Sequence, residues 1–332
     1  MLLGFYLLNH FDILKELNYD EVLQQMGSDS NPKVDEIKQI IKPHQSPLWC
    51  LVSLSHDLGY PIEKTKKANQ IISNMISNFG FLNVQQLLYD FTIVHQTAIQ
   101  QLLKTLSSVI FYKGLSYKIA TYPGASLDFA KSFENLDHGI MSAFLLQKHL
   151  DCICETPYFE NIDHIFFTDV NQAAQFISFT TLLSSISAHT SKFRYSHGFN
   201  NMNALLFIAD EVEEFSRYAR SKTTHEWVNL KCRTQVALSK DKFNVYFTFD
   251  NKNISESFHI EDFFKAKVEK LHYKFEVYPD SIQQVSIQCT DLTKSSPLDY
   301  IYTRDTKSTE LITPSRTIKD QYTELLNYIS KS

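Results

Sequence analysis

Between Met1 and about Tyr218 the apolar residues recur mostly three and four positions apart, the spacing that gathers them on one face of an α-helix. The pattern predicts helices near Leu2 to Leu17, Val34 to Ile41, Leu48 to Leu58, Glu63 to Phe79 and Val84 to Val109. It predicts further helices near Leu127 to Phe133, Asp137 to Leu150, Val170 to His189 and Asn203 to Arg220. Gly27-Ser28-Asp29-Ser30-Asn31-Pro32 reads as a loop, and Tyr122-Pro123-Gly124-Ala125-Ser126 as a turn that offers Ser126 as a helix cap. After Arg220 the pattern changes. Trp227 to Ala237 and Phe243 to Phe249 are rich in Val, Thr and aromatic residues, and Ser239-Lys240-Asp241-Lys242 between them suits a hairpin. Phe258 to Leu271 returns to helical spacing, and Tyr273 to Val277 and Gln284 to Gln288 look extended. Ser308 to Thr317 is polar and loop-like, and Lys319 to Ile329 suits a closing amphipathic helix. The expected class is therefore mainly α: a helical bundle over residues 1–224, followed by a small α+β region over 225–332.

Composition fits this division. A chain of 332 residues with 25 Phe and 17 Tyr can bury one large core and a smaller second one. The formal net charge of −5, with Lys and Arg scattered, leaves no basic stripe to neutralise a phosphate backbone, so nucleic acid is not the expected partner. No apolar run approaches the roughly 18 to 20 residues that cross a bilayer. Asn9, His10 and Asp12 interrupt the opening Met1 to Leu8 stretch, which also lacks the basic region and cleavage site of a signal peptide. The five cysteines, Cys50, Cys152, Cys154, Cys232 and Cys289, sit mostly in apolar segments, as reduced core thiols do. These features predict a cytoplasmic protein without a membrane span.

The chemistry starts at Leu54-Ser55-His56-Asp57-Leu58-Gly59-Tyr60-Pro61. An apolar helix delivers an adjacent imidazole and carboxylate at its last turn, and Gly59 and Pro61 stop it. Such a pair beside an apolar face is costly unless compensated, and a divalent metal compensates both groups at once. Alternatively, the two side chains bond the loose backbone groups of a helix end. Three other segments carry similar groups. Asp137-His138-Gly139-Ile140-Met141-Ser142-Ala143 opens an apolar helix with a histidine, Ile186-Ser187-Ala188-His189 ends another, and Leu205 to Val212 holds Asp210 in an apolar run.

In order and local context these segments resemble the HD superfamily of metal-dependent phosphohydrolases, in particular a bacterial group with a His-Asp-x-Gly-Tyr-Pro core. The resemblance covers roughly the first 220 residues and implies an HD-type helical bundle. It also implies metal ligation by His56, Asp57, His138, His189 and Asp210, with Asp57 shared between two ions. The implied cofactor is a divalent metal, Mn, Mg, Fe or Zn. The implied activity is hydrolysis of a nucleotide-like phosphate ester by a phosphohydrolase or phosphodiesterase, with Asp57, Lys64 and Arg194 as the catalytic set. The alternative is a catalytically impaired nucleotide-binding or regulatory module.

Lys64 and Arg194 are the nearest cations in sequence for a phosphate, and each also reads as a solvated surface charge. Arg217, two turns after Asp210 and near Glu213 and Glu214, reads as an ion-pair partner that orients the site. Asp137 reads as a cap for its helix or as an orienter of His138. His44, His95, His149, His164 and His197 fall outside the motif; the run around His197 offers aromatic surface for a nucleobase. The family's first histidine aligns before Met1, which predicts an under-coordinated metal position. His10 lies about 20 Å further along that helix, and His44 sits beside Pro43 in a loop, so neither is expected to replace it. The predicted hairpin edge leaves a homo-oligomer or another partner open.

Overall fold

The computed structural model describes residues 1–15, 17–19, 23–24, 32–78, 93–113, 116–150, 166–167, 169–190, 198–213, 232–250, 259–275, 277, 279–280, 282–292, 297–319 and 322–329. Through its contacts the chain divides into two compact units, Met1 with 17–191 and 2–16 with 192–332. The boundary expected near residue 224 lies outside the described residues. The first helix, α1 (Leu2–His10), belongs to the second unit.

The first unit contains α2 (Pro32–Ile41), α3 (Gln45–Ser55), α4 (Tyr60–Asn78), α5 (Ile93–Leu106), α6 (Pro123–Glu134), α7 (His138–Leu150) and α8 (Val170–Ala188). It also contains a four-stranded sheet in the order β1 (Leu23–Gln24), β2 (Ser108–Lys113), β3 (Ser116–Thr121) and β4 (Phe166–Phe167). β1 and β2 are parallel and the other pairs antiparallel. α8 is the central element. Its apolar residues lie all round the helix, so Ala173, Phe176, Ile177, Leu183 and Ile186 are buried together, as expected of a helix enclosed by others. It packs against α2, α3, α5 and α7 and against β2 and β4. Asp169 caps it, its carboxylate accepting from the Asn171 amide at 2.9 Å.

The second unit carries a six-stranded sheet, β10 (Arg316–Lys319), β9 (Thr309–Thr313), β8 (Leu298–Asp305), β7 (Gln284–Asp291), β6 (Lys242–Phe249) and β5 (Cys232–Leu238) in spatial order. β6 and β7 are parallel; every other neighbour is antiparallel. The parallel pair needs a crossover, and α10 (Ile260–Lys274) supplies it. Period-two alternation buries Phe243, Val245, Phe247 and Phe249 of β6 and Val285, Ile287 and Cys289 of β7. α10 packs against β7 and β8 and against α11 (Tyr322–Ile329), and contributes the buried Phe264, Val268 and Leu271. α9 (Met202–Val212) packs against α1, and its N-terminus is capped by Asn201, whose side chain accepts from the Ala204 amide at 2.7 Å. Glu211 near its end meets two lysines of α10. Lys270 Nζ lies 2.6 and 2.7 Å from the carboxylate oxygens, and the buried Lys267 donates to the Glu211 carbonyl.

The expectation of a helical bundle followed by a small α+β region is overturned by these two sheets. In the first unit the spacing of Leu103, Leu106, Val109 and Ile110 continues a helical stripe, but the helix stops at Leu106. The β-branched and aromatic run Val109-Ile110-Phe111-Tyr112 then pairs with Ser116–Thr121, a cross-strand partnership that helical periodicity cannot register. In the second unit, Ser308 to Thr317 is not a loop but the whole of β9 and the start of β10, with Leu311 and Thr313 buried on alternate positions of β9. Tyr273 and Lys274 continue α10 rather than forming a strand. α6 starts at Pro123, three residues before the expected cap at Ser126, because proline presets the first helical φ. The predicted hairpin is present, with Leu238 opposite Phe243. Among the described residues, Cys50, Cys232 and Cys289 form no disulfide, and no helix is long and apolar enough to cross a membrane.

Candidate metal centre

Three elements of the first unit build the site: the turn between α3 and α4, the start of α7 and the end of α8. α3 closes at Ser55, His56 donates its amide to the Val52 carbonyl, and Asp57, Leu58 and Gly59 make the turn into α4. Gly59 lets this turn touch α7. A Cβ there would lie 2.4 Å from the His138 carbonyl oxygen and 2.6 Å from Met141 Cβ. The Gly59 amide donates to Ser142 Oγ at 2.7 Å, and that hydroxyl is also within 2.6 Å of the His56 carbonyl and 2.7 Å of the His138 carbonyl. Gly139 does the same on the other side of α7, where a Cβ would meet Thr190 Oγ1 at 2.4 Å and the Ile186 carbonyl at 2.6 Å. Sequence spacing thus places two histidine-bearing segments against α7 through two glycines and one serine.

Each of three imidazoles is held by its Nδ1. His56 Nδ1 lies 2.8 Å from the Ser53 carbonyl, and His189 Nδ1 lies 2.6 Å from the Ile186 carbonyl. His138 Nδ1 lies 2.5 Å from Glu63 Oε2. Carbonyl oxygens and carboxylates only accept, so in every case Nδ1–H is the donor, and in the neutral ring Nε2 carries the lone pair. Partial burial pushes the Glu63 carboxyl pKa up, but hydrogen bonds from Lys67 and His138 outweigh it and hold the group at about 2. Glu63 is therefore ionised.

The Nε2 atoms then converge. His138 Nε2 and His189 Nε2 are 3.3 Å apart, and Asp57 Oδ1 is 3.5 Å from His138 Nε2. All three ligand atoms lie within 4.8 Å of one another. Asp57 turns its other oxygen to His56 Nε2, also at 3.5 Å, and the His56 ring meets His189 edge to face at 5.3 Å between centroids. Between two neutral rings the lone pairs facing each other across 3.3 Å repel, and either a proton on one Nε2 or a metal ion between them relieves this. Bonds of about 2.0 to 2.1 Å in a tetrahedral set place neighbouring nitrogens about 3.3 Å apart, so the two imidazoles are spaced for one divalent ion, and Asp57 joins the set by a small rotation of its side chain. His189 is buried and His138 mostly so, whereas the Asp57 side chain is 57% exposed, which opens the cluster to solvent on the carboxylate side.

The structure brings together His56, Asp57, His138 and His189. Asp210 lies half-buried on α9 in the second unit. Lys64 is exposed, with Nζ 4.8 Å above the Tyr60 ring, and Tyr60 in turn packs edge to face on His138 at 5.2 Å. Arg194 and Arg217 lie outside the described residues, as do His164 and His197. Asp137 is raised in pKa by burial and hydrogen-bonds Ser132; Glu63 is what holds His138. His44 is exposed at the start of α3, and His10 stacks on Tyr6 at 4.8 Å within the second unit. Sequence reasoning missed the roles of Glu63, Ser142, Gly59 and Gly139. Glu63 looks like any acid in the first turn of a helix, where the helix dipole alone accounts for it. Ser142 and Gly139 stand within the quoted motif, but their work lies across helices.

No family model, curated protein or solved structure matches the chain.

Proposed function

We propose that Asp57, His138 and His189 hold a divalent metal and that the protein is a metal-dependent phosphohydrolase or phosphodiesterase acting on a nucleotide-like phosphate ester. The observation that carries the metal reading is the facing of two Nε2 atoms at 3.3 Å beside a carboxylate, with every Nδ1 already committed. When bound, such an ion acidifies water and polarises a phosphoryl oxygen. The imidazole-rich donor set suits Zn or Fe better than Mg or Mn.

The phosphate-ester reading rests on the resemblance of the motif segments, and the placement of the side chains is compatible with it. His138 and His189 anchor from the buried side. Asp57 binds from the solvent side, where a substrate has access, and its second oxygen faces His56, so the carboxylate is placed to be shared. Lys64 stands one helical turn past Tyr60 with an exposed ammonium, suited to the charge of an incoming phosphate. A small-molecule substrate and a cytoplasmic setting follow from the same reading.

The test is phosphate release from a panel of nucleotides and phosphodiesters with Mn²⁺, Fe²⁺, Zn²⁺ and Mg²⁺ added in turn. Wild-type protein is expected to turn over at least one substrate, and Asp57→Ala to lose at least a hundredfold of that rate while remaining folded. Metal and nucleotide binding without turnover would move the chain to a regulatory binding module. Absence of both binding and turnover would remove the reading.

A further inference from the structure

The three histidines are not held in the same way. His56 and His189 each donate Nδ1–H to the carbonyl three residues earlier on their own chain segment, an acceptor built into the backbone. His138 opens α7, and its ring is held by a side chain from another helix, Glu63 of α4. Glu63 Oε2 is 2.5 Å from His138 Nδ1 and 3.3 Å from the His138 backbone amide, so one carboxylate oxygen fixes both ring and main chain. The other oxygen is bonded by Lys67, one turn further along α4. Both oxygens are thus engaged, and the carboxylate has little freedom to rotate away.

We infer that Glu63 is a positioning residue: it selects the Nδ1–H tautomer of His138, directs Nε2 toward Asp57 and His189, and so sets the metal affinity of the cluster. This rests on the metal reading for its consequence but not for its geometry. A histidine at the first residue of a helix has no carbonyl of its own helix three residues back, so an orienting acceptor must come from elsewhere. Without one, both neutral tautomers are accessible, and the form with Nε2–H points a proton at the cluster. Partners of this kind on metal-ligating histidines typically change metal affinity about 10- to 100-fold. Lys67 acts through Glu63 and touches neither the histidine nor the ligand position.

The experiment uses the full-length chain and two readouts. Two-dimensional ¹⁵N NMR of the imidazoles, on metal-free protein at a pH where they are neutral, reports the tautomer of His138. Competition with a chromophoric chelator reports the affinity for Zn²⁺. Wild type is expected to show His138 as the Nδ1–H form. Glu63→Ala is expected to show a mixture and to bind Zn²⁺ about 10- to 100-fold more weakly. Glu63→Gln, whose amide oxygen accepts the same proton, is expected to restore the tautomer and most of the affinity. An unchanged tautomer in Glu63→Ala, or an Nε2–H form in wild type, would overturn the inference whatever the metal result. A tautomer change without Zn²⁺ binding by any variant would leave Glu63 as the orienter and sink the metal reading instead. If Glu63→Ala does not fold, Glu63→Leu, which keeps most of the side-chain volume without an acceptor, carries the same comparison. A Glu63→Gln protein with the alternative tautomer would also overturn it.

Discussion

Gly59, Gly139 and Gly124 show how differently one residue type is used in this chain. At the first two a Cβ would fall within 2.6 Å of backbone atoms of a neighbouring element, and the backbone cannot yield as a flexible side chain would. Gly59→Ala and Gly139→Ala are therefore expected to destabilise the protein by about 1 to 3 kcal/mol, the usual range for overpacking. Gly124 lies exposed in the first turn of α6 with nothing within 4 Å, so Gly124→Ala is expected to stabilise by about 0.5 to 1 kcal/mol through the entropy of the unfolded chain. Urea unfolding of the three variants checks the difference in sign. Glycine in the His-Asp turn reads from sequence only as a helix stop; the close approach to α7 is a property of the packed fold.

At the scale of elements, the Ser142 hydroxyl of α7 bonds the α3–α4 turn at both the Gly59 amide and the His56 carbonyl. Ser142→Ala leaves the buried Gly59 amide without its acceptor, a loss expected to cost about 1 to 3 kcal/mol and to weaken metal binding by loosening the Asp57 turn. Isothermal denaturation and metal titration on the same variant separate the two effects. The β8–β9 connection has its own signature. Asp305 accepts from the Lys307 and Ser308 amides at 2.7 Å each, and these bonds hold its pKa below the ordinary carboxylate value. A lowered folded pKa contributes stability that is present above the unfolded value of about 3.9 and is lost as pH falls through the folded one. Asp305→Asn is expected to remove that part of the acid dependence; denaturation at pH 6 and at pH 3, compared with wild type, measures it.

The helices that carry the site were legible because α3, α7 and α8 are apolar over most of their length. The β2–β3 hairpin and β9 were not, since their identity depends on partners elsewhere in the chain rather than on local period. Within the site, the histidines and Asp57 stood out as costly groups in apolar segments. Glu63 did not, because its role appears only when α4 packs on α7.

At the scale of the molecule, α1 and the 3₁₀ turn Asp12–Leu14 belong with residues 192–332 although they lie at the other end of the sequence. Leu7 and Leu14 are buried there, and Leu14→Ala is expected to cost about 2 to 5 kcal/mol in the unfolding of the second unit. Hydrogen exchange should show the loss on α9 and the six-stranded sheet and spare α7 and α8; protection lost instead on α7 and α8 would contradict the division. In the same unit, Glu211→Ala removes the carboxylate beside the buried Lys267, which keeps its bond to the carbonyl of residue 211, and is expected to cost about 1 to 3 kcal/mol. Neither change touches Asp57, His138 or His189. The most direct test of the central claim is a crystal structure of the Zn²⁺- or Mn²⁺-soaked protein, with the ion located by anomalous scattering. One ion is expected within about 2.0 to 2.3 Å of His138 Nε2, His189 Nε2 and an Asp57 oxygen. Anomalous density elsewhere, or none at this cluster from a protein saturated with metal, would contradict it.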